Sequence, residues 1–396
     1  MHKRHAIIIG AGAMGLTAAH HLLTQTDVRP IVLERENFIG GRSRTLNFNG
    51  NLMELGEHRL FTDDAEILSL WRTLLPDDDL PERQRITAVF CRGEMFQCPL
   101  NADWSTISRL GLFNALSIGA SRLMSKISRR DEKTLADVLS NRFGQKFSEN
   151  FFGTCLQKIY GRSTAELDAA QINLLNDFMS NEKFFCPKGG TGQLWENLAA
   201  EIKKLGGEVL LNANVKAFRV GEDNLVKAAT VDTLAGTLTF PADIFLSTAP
   251  LDELVDMLDE KILLAENLHY RDRVTVGLLV DKFNASTPAQ TVYIADSTVK
   301  LARLQIFNNL SESFVADKSS TWLGADYFCG KGDDLNMSDD DFVKLATDEL
   351  AKLGLIDAAA VKFGACVKVS KALLVPENFD DLRGSLDAIK NLKRLG

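Results

Sequence analysis

Residues 7–15 read Ile-Ile-Ile-Gly-Ala-Gly-Ala-Met-Gly, and no other stretch limits the fold of this chain as tightly. Consecutive isoleucines stopped by glycine describe a fully buried strand, here His5 to Gly10. Gly10-x-Gly12-x-x-Gly15 follows, and Met14 to Leu23 reads as a helix. Residues 31 to 34, Ile-Val-Leu-Glu, read as a second strand, so the chain opens strand–helix–strand. Each glycine has its own reason. Gly10 permits a tight turn, Gly12 lets the backbone approach a pyrophosphate, and Gly15 lets the helix pack against the strand. The helix start at Ala13 and Met14 offers free N–H groups to phosphate. Glu34 lies about twenty residues past the glycines, where an acid hydrogen-bonds a ribose hydroxyl. A plain glycine turn with a surface glutamate leaves this register unexplained. The pattern implies dinucleotide binding, but a ribose acid serves NAD and FAD alike.

Residues 36 to 45, Glu-Asn-Phe-Ile-Gly-Gly-Arg-Ser-Arg-Thr, separate the two. With Arg35 they resemble the second glycine motif of the FAD-dependent amine-oxidase and protoporphyrinogen-oxidase-like superfamily, which directly follows the ribose acid. The resemblance implies FAD. Gly40 and Gly41 would let backbone pass close to the cofactor, and Arg42 can pair with pyrophosphate charge. On their own, Arg42 and Arg44 would read as a solvated loop.

The similarity continues toward a subgroup related to UDP-galactopyranose mutases. Residues 54–62, Glu-Leu-Gly-Glu-His-Arg-Leu-Phe-Thr, look like the segment passing the flavin ring. That implies cofactor contacts at Gly56 and Glu57, and makes His58 and Arg59 the candidate catalytic groups beside the ring. Arg59 could instead pair with Glu54 or Glu57 as local scaffolding. Residues 142–163, 186–199, 246–254, 325–329 and 336–350 resemble further parts of that subgroup. By the same resemblance Val215 offers backbone to the adenine. Tyr160, Arg162, Arg303 and Tyr327 are candidate pocket residues by resemblance only, with packing or a surface role the better expectation for each. Two departures stand out. Residues 371–382 lack the tyrosines usual there, and the sequence stops at Gly396, before an expected Gly-Arg-x-Gly element. Loss of that element would weaken flavin binding.

At 396 residues the prior is about two domains. The expected class is α/β: a Rossmann-like FAD-binding domain over 1–90 and 185–255, discontinuous in sequence. A helical insert would cover 91–184 and a sheet-plus-helix substrate domain 256–396. A hairpin is expected to turn at Arg92-Gly93-Glu94, and a helix to start after Thr134. Strands are expected at 208–220, 226–232 and 236–248, and a capped helix from Ser338 to near Gly354. The net charge of −8 argues against a nucleic-acid surface. Six cysteines without a C-x-x-C read as free thiols in a reducing, cytoplasmic compartment. The histidine spacing offers no metal site. The apolar run at the start is too short for a signal peptide, and nothing reaches membrane-spanning length. Residues 110–124, followed by Lys126, Arg129 and Arg130, could touch a membrane surface. Their length favours a buried helix of the insert instead.

The leading expectation is an FAD-dependent oxidoreductase that moves hydride from a small organic substrate to flavin N5. One alternative is a sugar-nucleotide mutase using reduced flavin as nucleophile, which would draw on Arg109, Arg122, Arg129, Arg130 and Arg162. Another is a truncated, non-catalytic relative. Substrate, electron acceptor and oligomeric state are left open by the sequence.

Overall fold

The computed structural model describes residues 4–56, 59–99, 106, 108–109, 111–129, 131–172, 180, 182–258, 268–330, 337–375 and 391–395. The opening strand, His5–Ile9, lies at the centre of a five-stranded parallel sheet. The order is Leu392–Arg394, Ile244–Ser247, His5–Ile9, Arg29–Leu33, Glu208–Leu210. Both faces are covered, which is why the strand is apolar without alternation. Ile8 packs under the helices Ala13–Gln25 and Thr191–Lys204 with Leu16, Leu194 and Ile202. Ile7 and Ile9 point the other way, to Phe218, Val231 and Phe245. That face is roofed by a three-stranded antiparallel meander, Asn214–Val220, Val226–Thr233 and Gly236–Pro241.

Two expected strands prove to be broken. The 208–220 stretch divides between Glu208–Leu210 in the parallel sheet and Asn214–Val220 in the meander. Asn212 turns the corner at φ 53°. The 236–248 stretch divides in the same way at 242–243.

The second sheet has seven strands, ordered Val361–Val375, His269–Val280, Thr321–Cys329, Arg303–Ile306, Thr291–Ile294, Thr87–Cys91, Glu94–Cys98. It is antiparallel except where Thr291–Ile294 runs beside Thr87–Cys91. The hairpin turns at Arg92 and Gly93, both at positive φ. One face carries the helix Asp339–Lys352, which starts with a capping box between Ser338 and Asp341. Its Phe342, Ala346 and Leu350 join Val276 and Leu278 in the core. The other face carries the helical insert, where Leu135–Phe143 begins with a Thr134/Asp137 capping box. Phe151 packs edge-on against Phe96 at 5.3 Å, fastening insert to sheet.

The helix Leu112–Ile127 of the insert departs from expectation. It is not a buried helix: Leu116, Leu123, Met124 and Ile127 are 63, 62, 67 and 79% exposed. Length alone carried no information about which face the insert would cover.

Candidate functional site

The three glycines of the first turn are glycine for different reasons. Gly10 sits at φ 98°, and a β-carbon there would overlap the Thr248 hydroxyl. A β-carbon on Gly15 would overlap the carbonyl of Gly10. Both are required by the packing of the chain itself. Gly12 is not: its backbone is extended (φ −78°, ψ 179°), and an added β-carbon meets nothing within 4 Å. Its lack of a side chain makes physical sense only if something other than the chain must come close. Gly12 also caps the helix Ala13–Gln25 without a side-chain hydrogen bond. The N–H groups of the first helical turn, including Ala13 and the half-exposed Met14, therefore have no side chain covering them.

The second glycine pair lies directly on the first. The Gly40 N–H donates to the Ala11 carbonyl at 2.9 Å, and Gly12 and Gly40 form a parallel bridge. A β-carbon on Gly41 would stand 3.3 Å from the Gly12 α-carbon. Both residues have positive φ, 97° and 54°. Adjacent glycines thus allow two phosphate-sized loops to stack backbone on backbone. Glu34, 8% exposed, ties the loops together. One oxygen accepts the Ala11 N–H at 2.8 Å and the other the Glu36 N–H at 3.0 Å. Carboxylate lone pairs remain for a third partner.

The neighbouring cations are placed separately. Arg35 pairs with Glu253 at 2.8 Å. The Arg42 guanidinium donates to the Ala372 carbonyl at 3.1 Å, and burial lowers its pKa. Arg44 lies 3.7 Å above the Phe38 ring, and its buried Nε has no hydrogen-bond partner among the described residues. Val215 is buried in the meander opposite Val231.

From the glycine loops the strand Asn51–Glu54 leads to a small pocket against the second sheet. Glu54, Gly56 and Arg59 line it from this segment, and Thr291 and Gln305 from the second sheet. Arg59 donates to the Thr291 hydroxyl at 2.8 Å and stands 5.0 Å from the Phe184 ring centre. Glu57 and His58 lie outside the described residues.

Glu54 is the carboxylate that sequence reading passed over as a site residue. It accepts the Thr45 hydroxyl at 2.9 Å, the Thr191 N–H at 2.8 Å and the Thr191 hydroxyl at 2.7 Å. Complete burial outweighs these bonds and raises its pKa from 4.5 to about 7. The Thr191 hydroxyl has one proton and two acceptors, since the Ser43 carbonyl lies 2.9 Å away. When Glu54 is neutral it donates to Thr191, which is then free to bond Ser43.

Beneath the pocket lies a charged cluster that joins Arg303 to Asp326, from the 325–329 stretch. Asp326, wholly buried, accepts from Arg303 Nε at 2.8 Å, Thr275 at 2.5 Å and Gln305 at 3.1 Å, and forms an ion pair with Arg303 Nη2 2.7 Å away. Arg273 fills the space beside Gly56 and donates to the Leu55 carbonyl. Gly56, at φ 126°, is glycine partly because a β-carbon would strike that guanidinium. For Arg273 and Asp326, charged residues interrupting apolar strands were the signal in the sequence, whereas Arg303 had already been named by resemblance. Tyr160 is a core residue of the insert, and the Tyr327 hydroxyl donates to Glu349 at 3.2 Å. Cys155 is a buried hydrophobe, its thiol pushed up to about 12 by burial.

A parallel layer with two interlocked glycine loops, set against a second sheet that lines a small pocket, defines a dinucleotide-binding flavoprotein fold. The chain belongs to the flavin-containing amine oxidoreductase family, whose profile matches residues 15–370. Among curated proteins it is 23% identical to the 15-cis-phytoene desaturase of Synechococcus elongatus over 285 residues, 64% of this chain and 59% of that protein. It is 22% identical to the Arabidopsis thaliana enzyme of the same name over 64% of this chain and 49% of that one. The match thus spans about half the length of these relatives. Reduced UDP-galactopyranose mutase shares the fold at a TM-score of 0.81 with 17% identity, over 98% of this chain and 89% of the other. An engineered putrescine oxidase gives 0.61 with 18% identity, over 92 and 84%. FAD is the cofactor, and the residues present fit it: the open side of Gly12, the uncapped helix start and the unpartnered Arg44 Nε all suit a bound pyrophosphate.

Proposed function

We propose that the chain is an FAD-dependent oxidoreductase acting on a small organic substrate held in the pocket beside Arg59. The observation that carries this reading is Gly12: the chain itself does not need a glycine there, but a pyrophosphate does. Ala13, Met14 and Gly15 would present N–H groups to the phosphates, with Gly10, Gly40 and Gly41 holding the loops in place. Glu34 would take the ribose hydroxyl with its remaining lone pairs, Arg42 would offset phosphate charge, and Val215 would border the adenine. Arg35 is the weaker of the two cations for that task, being engaged by Glu253. Bound FAD supplies the hydride acceptor, flavin N5.

The chain supplies position and charge. Arg59, anchored on Thr291, would hold an anionic group or stabilise negative charge developing beside it, with Gly56 lining the same space. The wall of Phe184 and Leu310 excludes water from the same space. We read residues 1–90 and 185–255 as the cofactor-binding part, apart from the strand Thr87–Cys91, which joins the second sheet, and the insert with that sheet as the substrate part. The mutase reading calls for arginines gathered at the pocket. Instead Arg109 donates to the Met95 carbonyl and Arg129 pairs with Glu132. The curated relatives being desaturases by name also favours net oxidation.

The test is direct. The purified chain should be yellow and release FAD near one per chain, and anaerobic addition of an amine, a porphyrinogen or a polyene should bleach the flavin band. A protein that binds FAD but is bleached by none of these, and that turns over a sugar nucleotide only after dithionite reduction, would overturn the oxidoreductase reading.

A further inference from the structure

The helix Leu112–Ile127 lies with Ile118 against the core of the insert, and beside it Ser117 accepts the Lys146 ammonium at 2.5 Å and Ser121 accepts the Lys146 N–H at 3.2 Å. Its backbone is seated closely, since a β-carbon on Gly144 would stand 2.7 Å from the Arg122 nitrogen. The opposite side carries Leu116, Leu123, Met124 and Ile127, each more than 60% exposed, with exposed Ala120 between them. At about 100° per residue these five positions fall within an arc of roughly 100°. A contiguous apolar stripe of this kind marks a contact with something outside the chain.

Charge says what that is. Between Asp103 and Asp131 lie five cations, Arg109, Arg122, Lys126, Arg129 and Arg130, and no acid, in a chain of net charge −8. Arg122, Lys126 and Arg129 are exposed. The complement is an apolar layer edged with negative charge. Among the described residues no helix is long and apolar enough to cross a membrane, so the 16-residue helix would lie along the surface. We propose that it docks the protein on an anionic membrane surface. Leu116, Leu123, Met124 and Ile127 enter the acyl boundary, and Arg122 and Lys126 meet the headgroups.

Sedimentation of the FAD-loaded full chain with lipid vesicles tests this. Binding is expected to vesicles of equal phosphatidylcholine and phosphatidylglycerol, and not to phosphatidylcholine alone. Replacing Leu116, Leu123 and Ile127 together by serine should weaken binding by at least about tenfold with an unchanged thermal melt. The pair Arg122→Glu and Lys126→Glu should abolish it, also with an unchanged melt, and decides the matter if the triple variant does not fold. Absence of binding to the anionic vesicles, or equal binding by these variants, overturns the proposal. So does a concentration-dependent dimer that the triple variant loses while neither protein binds vesicles, because the face is then covered by a second copy.

Discussion

Glu54 should make the stability of this protein depend on pH in a direction opposite to that of most carboxylates. Its pKa in the folded chain is about 7, against an ordinary 4.5, because burial disfavours the charge more than three hydrogen bonds favour it. Between those values the folded chain holds a proton that the unfolded chain releases. The stabilisation is therefore complete below about pH 4.5 and is lost as pH rises through 7. Moving from 4.5 to about 7 corresponds to about 3 kcal/mol at ~1.4 kcal/mol per pH unit. Glu54→Gln removes the titration and keeps the neutral pattern. The amide oxygen accepts from Thr45 and the Thr191 N–H, while the amide NH₂ donates to the Thr191 hydroxyl and leaves it to bond Ser43. Denaturant unfolding of both proteins with saturating FAD, at intervals from pH 5 to 8, isolates this one group because other titrations cancel in the difference. The variant should gain on the wild type by about 3 kcal/mol across that range, with the steepest change below pH 7. A difference that stays flat with pH would refute the reasoning, and would mean that Glu54 is charged throughout and its three donors suffice to keep it so.

Other consequences are equally concrete. Gly12→Ala should leave unfolding within about 1 kcal/mol of wild type while FAD affinity collapses, whereas Gly15→Ala should destabilise the fold even without FAD. Calorimetric titration with FAD beside thermal melts of the apoprotein separates the two. Asp326→Ala removes the carboxylate that pairs with the buried Arg303 and should cost about 3–5 kcal/mol in denaturant unfolding. Arg59→Met should lower the two-electron potential of bound FAD by at least about 30 mV, a tenfold change in the reduced-to-oxidised equilibrium, as a potentiometric titration will show. An unchanged potential would make Arg59 only a strut to Thr291.

Much of the cofactor layer was legible because its signals are local. A buried strand needs consecutive apolar residues, a tight turn needs glycine, and a cap needs a short hydroxyl or acid side chain. All of these are written within a few residues of where they act. Ile7–Gly15, Thr134, and Ser338 with Asp341 could be read that way. The strands broken at Asn212 and at 242–243 could not, since a continuous β pattern does not say when a chain leaves one sheet for another.

The sequence by itself determined that a dinucleotide cradle would form and that it would carry two glycine loops and an acid. Tertiary structure decided what those loops touch, and so separated Gly12 from the glycines that the protein needs for itself. It also decided that Glu54 would be buried next to Thr191, 137 residues away, and that Asp326 would meet Arg303 from a neighbouring strand. It turned the apolar side of Leu112–Ile127 outward. The physical reason is the same in each case. Propensity and turn chemistry act along the chain, whereas desolvation, charge pairing and exposure depend on which distant segments arrive at the same place.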